Sequence, residues 1–296
     1  MMVRHRCALG AAKPAVLRIL LLFLASVVLT NVAPDAIRQL RGRAYAAARG
    51  VEHARALLSV EGWSVEESGL ARLYYTKADA DIAGEAAAFA GEAYMSVCGR
   101  LGYDAPGELT VIMYPSFESL QRAVAGGEGG EGGRSIGVCW AGIVGMVSPK
   151  AWGGLFGSGD AVHLFGRYNP LHHEIAHYVL DEMADGNYPR WFSEGLAQVV
   201  EFDATGYVWE ETEALATDGG VDLSLGVLDR AFNREDTLNA VYSKSMWVTD
   251  RIMKRLEGPG FARLAFLLGR GMDFEVALRE VSGLDYGALE SEWRER

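Results

Sequence analysis

The order of apolar and polar positions divides the chain into a leader, an Ala- and Arg-rich segment, a mixed strand-and-helix portion and a helical remainder. Ile19 to Ala33 is an apolar run broken only by Ser26, Thr30 and Asn31. Residues 35–66 carry helical spacing, with Ile37, Leu40 and Tyr45 and then Ala54, Leu57 and Leu58. From Gly69 the pattern changes. Leu70 to Thr76 reads as a strand, Ala78 to Leu101 as a long helix, Leu109 to Tyr114 as a buried strand and Phe117 to Val124 as a short helix. The Gly-rich stretch 125–135 predicts a loop at the rim of a cleft. Ile136 to Ser148 predicts a strand pair or one long bent strand with glycines at bulges. Residues 149–168 read as a loop with a short edge strand. Beyond Phe202 the spacing is mainly helical: Leu238 to Leu256, with Val241, Val248, Ile252 and Leu256 on one face, then Phe261 to Leu268, Phe274 to Val281 and a last helix ending at Trp293.

The intervening stretch, 169–202, holds the chemistry. Asn169 and Pro170 suit a helix start, and Asp185-Gly186-Asn187 a helix stop. Between them Ile175, Val179 and Met183 form one apolar ridge, with Ala176 and Leu180 beside it. Burying that side leaves His173, Glu174 and His177 facing a cleft. These three form an H-E-x-x-H motif, which arises by chance in on the order of 1% of such chains, so the amphipathic flanks decide in its favour. Positions i and i+4 share a helix face, so both imidazoles can reach one metal ion. Glu174 points beside that ion and suits a general base. Pro189 opens a second helix carrying Glu194, which sixteen residues separate from His177.

In this setting the stretch resembles the gluzincin metallopeptidases, and more narrowly the bacterial "peptidase MA-like" domains. Their short signature, HE..H followed by P.W..EG.A, falls here on His173, Glu174, His177, Pro189, Trp191, Glu194, Gly195 and Ala197. The resemblance is specific over 169–202, looser from about 70 to 290, and excludes the first 66 residues. It implies His173, His177 and Glu194 as ligands of one Zn²⁺ per chain, Glu174 as catalytic base, and peptide-bond hydrolysis, with endopeptidase action favoured. It also implies an α+β, zincin-like domain: a small mixed sheet and edge strand before the HExxH helix, then a mainly helical C-terminal part. The strand near the active-site helix pairs with substrate backbone in gluzincins, a part that 136–147 could play, although an ordinary core strand fits the residues equally well. Tyr242, in Tyr242-Ser243-Lys244-Ser245, resembles the family's Tyr-x-x-Ser position and could donate to an oxyanion; a packing tyrosine is the alternative. Asp181 and Gln198, one turn beyond His177 and Glu194, are candidates to hold the other ring N–H of each ligand histidine. The rival to an enzyme is a membrane-anchored zinc-binding scaffold or latent pseudo-peptidase without turnover, which needs the ligands but not the base.

Composition adds three constraints. Hydrophobic content of 50% over 296 residues is ample for a core. The formal charge of −11 conceals an asymmetry: Arg4, Arg6, Lys13 and Arg18 lie in the first 34 residues, which carry no acid, so the rest is more acidic still. That body argues against nucleic acid as a partner and leaves peptide or protein as the expected substrate. Basic residues ahead of an apolar run read as a signal anchor or a cleaved signal peptide, placing the domain outside the cytoplasm, on the membrane or secreted. The boundaries expected are therefore 1–34 for the leader, 35–66 for a juxtamembrane helix or stalk, 67–168 for the α/β part and 169–296 for the active-site helices and helical C-terminal part. Of three cysteines, Cys7 has no evident role, and Cys98 and Cys139 either pair or remain separate thiols.

Overall fold

The computed structural model describes residues 33–104, 106–124, 135–153, 155–156, 160–206, 223–256 and 259–295. The leader up to residue 32, with Cys7, and 125–134 of the Gly-rich stretch lie outside the described residues. Among the described residues no helix is long and apolar enough to cross a membrane.

The architecture is α+β, with a small mixed sheet packed against a larger helical part. Helix α1 (Ala33–Ser59) leads into strands β1 (Ser64–Ser68) and β2 (Ala71–Tyr75), helix α2 (Ala83–Leu101), β3 (Leu109–Tyr114), α3 (Phe117–Val124), β4 (Gly137–Trp140) and β5 (Ile143–Val147). The strands run in the order β1-β2-β3-β5-β4. β2, β3 and β5 are parallel neighbours, and antiparallel β1 and β4 close the two edges. β3 and β5 are buried at every position, which is why both read as continuous apolar runs.

Two expectations are corrected here. Residues 64–66, read as the end of a helical stalk, belong to strand β1 (Ser64–Ser68): its sequence SVEES is polar because an edge strand half-faces water. Residues 149–168 hold a 3₁₀ turn (Pro149–Ala151) and helix α4 (Ala161–Tyr168) in place of an edge strand. Asp160 nucleates α4 by accepting the N–H of His163 at 2.8 Å. The stretch 136–148 is the strand-pair alternative, turning at Ala141-Gly142 with φ of 52° and 70°, as tight hairpins require. Cys98 and Cys139 are both free thiols, and burial raises the pKa of each, that of Cys98 to about 11.

Helices α5 (Leu171–Ala184) and α6 (Arg190–Thr205) follow, then α7 (Leu228–Ala231), α8 (Leu238–Leu256), α9 (Pro259–Gly269), α10 (Phe274–Ser282) and α11 (Tyr286–Arg294). Ile175, Ala176, Val179 and Leu180 are fully buried, so the apolar side of α5 faces the core as its spacing predicts. α6 lies against both α5 and α8. A Cβ on Gly195 would sit 2.2 Å from the Ser245 carbonyl and 2.3 Å from Thr249 Oγ1, so only glycine admits this helix approach.

Helix α1 lies along the domain. Arg38 Nε donates to the Gly271 carbonyl (2.7 Å), Tyr45 OH and Arg49 donate to Asp181 Oδ2 (2.8 and 3.1 Å), and His53 Nδ1 meets the Ala141 carbonyl (3.1 Å). Arg49 also pairs with Glu182. Asp181 is thus an anchor for α1, and its second oxygen accepts Tyr188 OH at 2.7 Å.

Candidate metal centre

The site forms where α5 and α6 cross beneath β4. Asn169 Oδ1 accepts the N–H of Leu171 at 3.3 Å, fixing the start of α5, and Asp185, at φ 50°, ends it. The start of α6 is held from a distance. Pro189 offers no side-chain cap, and Asp229 of α7 accepts the N–H groups of Arg190 (2.9 Å) and Trp191 (2.8 Å). That carboxylate satisfies two otherwise unpaired donors and sets the axis on which Glu194 is carried.

His173, His177 and Glu194 converge, with potential ligand atoms all within 4.8 Å of one another. Glu194 Oε2 lies 4.0 Å from His173 Nε2 and 3.8 Å from His177 Nε2. Metal–ligand bonds of about 2.1 Å at tetrahedral angles separate ligand atoms by roughly 3.4 Å, so each Glu194–histidine separation is within about half an ångström of what a tetrahedral ion requires. The remaining ring nitrogens are already engaged: His173 Nδ1 meets Glu201 Oε2 at 3.1 Å, and His177 Nδ1 meets Ser193 Oγ at 2.7 Å. Both Nε2 atoms therefore face the shared centre, the arrangement a metal-ligating histidine needs.

These partners differ from those expected. Asp181 is turned to α1 and Tyr188, as described above. Gln198 Nε2 donates to the carbonyls of Glu194 (3.3 Å) and Tyr242 (3.2 Å), stitching α6 to α8. One-turn spacing pointed to the wrong residues because each histidine is supported from the facing helix. Glu201 lies seven residues after Glu194 on the same stripe of α6, so helical periodicity contained that signal.

Electrostatics favour a cation here. Burial lowers the His173 pKa, but the Glu201 hydrogen bond and the charges of Glu174, Glu201 and Glu194 outweigh it and lift it to about 9. Three carboxylates thus stabilise positive charge at this point, whether carried by a proton or a metal ion. Burial, with the nearby charges of His173 and Arg190, holds His177 well below its ordinary value, leaving the neutral imidazole that ligates.

Glu174 is buried beside the ligands. Burial raises its pKa to about 7, with Glu194 and Glu201 adding to the rise and His173 and the Cys139 N–H opposing it. That value suits a group that takes and returns a proton near neutrality. Strand β4 reaches this carboxylate because Gly137 has no side chain: a Cβ there would lie 2.6 Å from Pro170 and 2.9 Å from Glu174 Cγ.

Tyr242 of α8 also comes to the site. Burial raises its pKa, with the charge of Glu194 adding to the rise and that of Arg190 opposing it. Its ring packs edge-on against Phe232, so it both packs and faces the site. Sequence reasoning missed Arg190, whose Nε lies 3.5 Å from Glu194 Oε1 and whose guanidinium stacks 4.4 Å over Phe232. It therefore holds the carboxylate oxygen that faces away from the histidines. Its i,i+4 spacing from Glu194 was the available signal.

Comparison with known proteins finds no matching family model, no matching curated protein and no matching solved structure.

Proposed function

We propose that this chain is a zinc-dependent peptidase of gluzincin type with a zincin-like domain, hydrolysing internal bonds of peptide or protein substrates. The observation that carries the reading is the convergence of His173 Nε2, His177 Nε2 and Glu194 Oε2 while both Nδ1 atoms are held elsewhere. Three ligands leave one position open, as in catalytic and unlike structural zinc sites. Bound there, Zn²⁺ supplies Lewis-acid polarisation of the scissile carbonyl and a lowered pKa for the attacking water.

The chain's own residues do the rest. Glu174 accepts the proton from water and returns it to the leaving amine, a role to which burial has tuned it. Tyr242 OH donates to the oxyanion. Substrate backbone aligns along β4, the outer strand on the side of the site, whose Gly137 backs onto Glu174. A scaffold that kept zinc for structure needs the ligands but no buried carboxylate beside them.

The test pairs the full chain with its Glu174→Gln variant. About one zinc per chain in both is expected, with peptide-library cleavage reduced at least ~10²-fold in the variant. Zinc without cleavage in either protein would favour a latent or scaffold role; no zinc in either would overturn the ligand set.

A further inference from the structure

Helix α1 carries a surface that docking on the domain does not use. Its inward face is largely polar: Arg38, Tyr45, Arg49 and His53 make the contacts described above, and Ala56 and Val60 follow them into the core. Roughly 170° around the helix, Ile37, Leu40, Ala44, Ala47, Val51, Ala54 and Leu58 recur with strict 3-4 spacing over three heptads. All seven are exposed, Leu40, Val51 and Leu58 to 64%, 67% and 71%. A stripe confined to every third and fourth position is the seam of a coiled coil, narrower than the apolar face by which a helix packs on a globular core.

We infer that this seam pairs with the same seam of a second copy, making the protein a parallel, in-register dimer through α1. The flanking residues admit this occupant without a like-charge pair. With Ile37, Ala44, Val51 and Leu58 at position a, the residues meeting across a parallel pair are Ala36 with the partner's Arg41, Arg43 with the partner's Ala48, and Gly50 with the partner's Arg55. Each arginine thus crosses over a small residue, and no arginine meets another. Alanine at three of the seven seam positions lets the two backbones approach closely.

The placement of the domain agrees. It sits on the far side of α1 from the seam, so two copies pair with their catalytic domains outward. Because α1 is already ordered by its contacts to α5 and the β4–β5 turn, association costs little further backbone entropy. At its C-terminal end the seam continues into an apolar recess lined by Leu57, Leu58, Trp63, Val65 and Tyr74. The inference is independent of the metal chemistry.

Cysteine cross-linking of the full chain in mild detergent tests it, in a Cys7→Ser background, since Cys98 and Cys139 have high thiol pKa values. Ala47→Cys stands on the seam and Ala46→Cys beside it, both exposed. Mild oxidation should give a disulfide dimer at position 47 on the order of tenfold above that at 46, because paired d positions of a parallel coil lie within disulfide reach. The double variant Leu40→Glu/Val51→Glu should run as a monomer in light scattering with an unchanged circular dichroism spectrum. Equal cross-linking at the two positions, or no dimer at either, would overturn the proposal. So would an Ala47→Cys protein that stays monomeric and whose new thiol is shielded from maleimide only by anionic vesicles, which would make the seam a lipid contact.

Discussion

Glu201→Ala separates the support of the ligands from the ligands themselves. The Glu201 carboxylate is buried at 7% exposure and lies 3.1 Å from His173 Nδ1, so water screens the contact little. A hydrogen bond to a charged group contributes about 1.5–3 kcal/mol, and loss of such a ligand-orienting partner commonly costs 10–100-fold in metal affinity, about 1.4–2.7 kcal/mol. The two ranges agree, so zinc should dissociate roughly 10–100-fold more readily from the variant. The assay is competition against a chromophoric chelator at pH 8 with the full chain. Gln198→Ala is the control, since Gln198 bonds two backbone carbonyls and neither histidine. Glu201→Ala within about twofold of the parent, or Gln198→Ala equally damaging, would refute the assignment of the histidine's partner.

Two further outcomes follow from the same geometry. Because metal must displace the proton from His173, whose pKa stands at about 9, apparent zinc affinity should climb about tenfold per pH unit from pH 7 to 8.5 and level above 9. The sign is fixed by protons competing with the metal below that pKa; a flat profile in buffered chelator titrations would contradict it. Gly195→Ala should destabilise by about 2–3 kcal/mol, because the new Cβ meets the backbone carbonyl of Ser245, which cannot swing away. Thermal unfolding some 5–10 °C lower would register this, and an unchanged midpoint would show that α6 and α8 can part without cost.

The parts legible in the sequence are those where one strong local pattern sufficed. The ridge of α5 and the runs of β3 and β5 were readable because burial repeats at the period of the element. The ligand trio was readable because two members share a helix and the third begins the next. Strand β1 escaped because SVEES has no apolar alternation, its half-exposed edge demanding none. The helix at 161–168 escaped because Asp160, a short-range cap, outweighed the glycines and aromatics around it. The partners of the histidines were misassigned for a different reason. Asp181 and Gln198 occupy the right rung of the right helix, yet α1 and α8 claim them. Which neighbour claims a polar side chain depends on tertiary packing, and Tyr45 is 136 residues away from Asp181.

All three candidate ligands and the two groups bonded to the histidines fall between residues 173 and 201, on one helical hairpin. Contacts so close in sequence form early, because little loop entropy opposes them. The candidate ligands are therefore brought together by one hairpin, whose second helix is held at its start by Asp229 of α7. Strand β4, by contrast, comes from the N-terminal half, and its bare backbone at Gly137 completes the surroundings of Glu174. The candidate ligands and the surroundings of Glu174 thus draw on different parts of the chain. On the proposed function, a chain whose N-terminal half had not closed over the hairpin would carry the ligand residues without the full surroundings of the base.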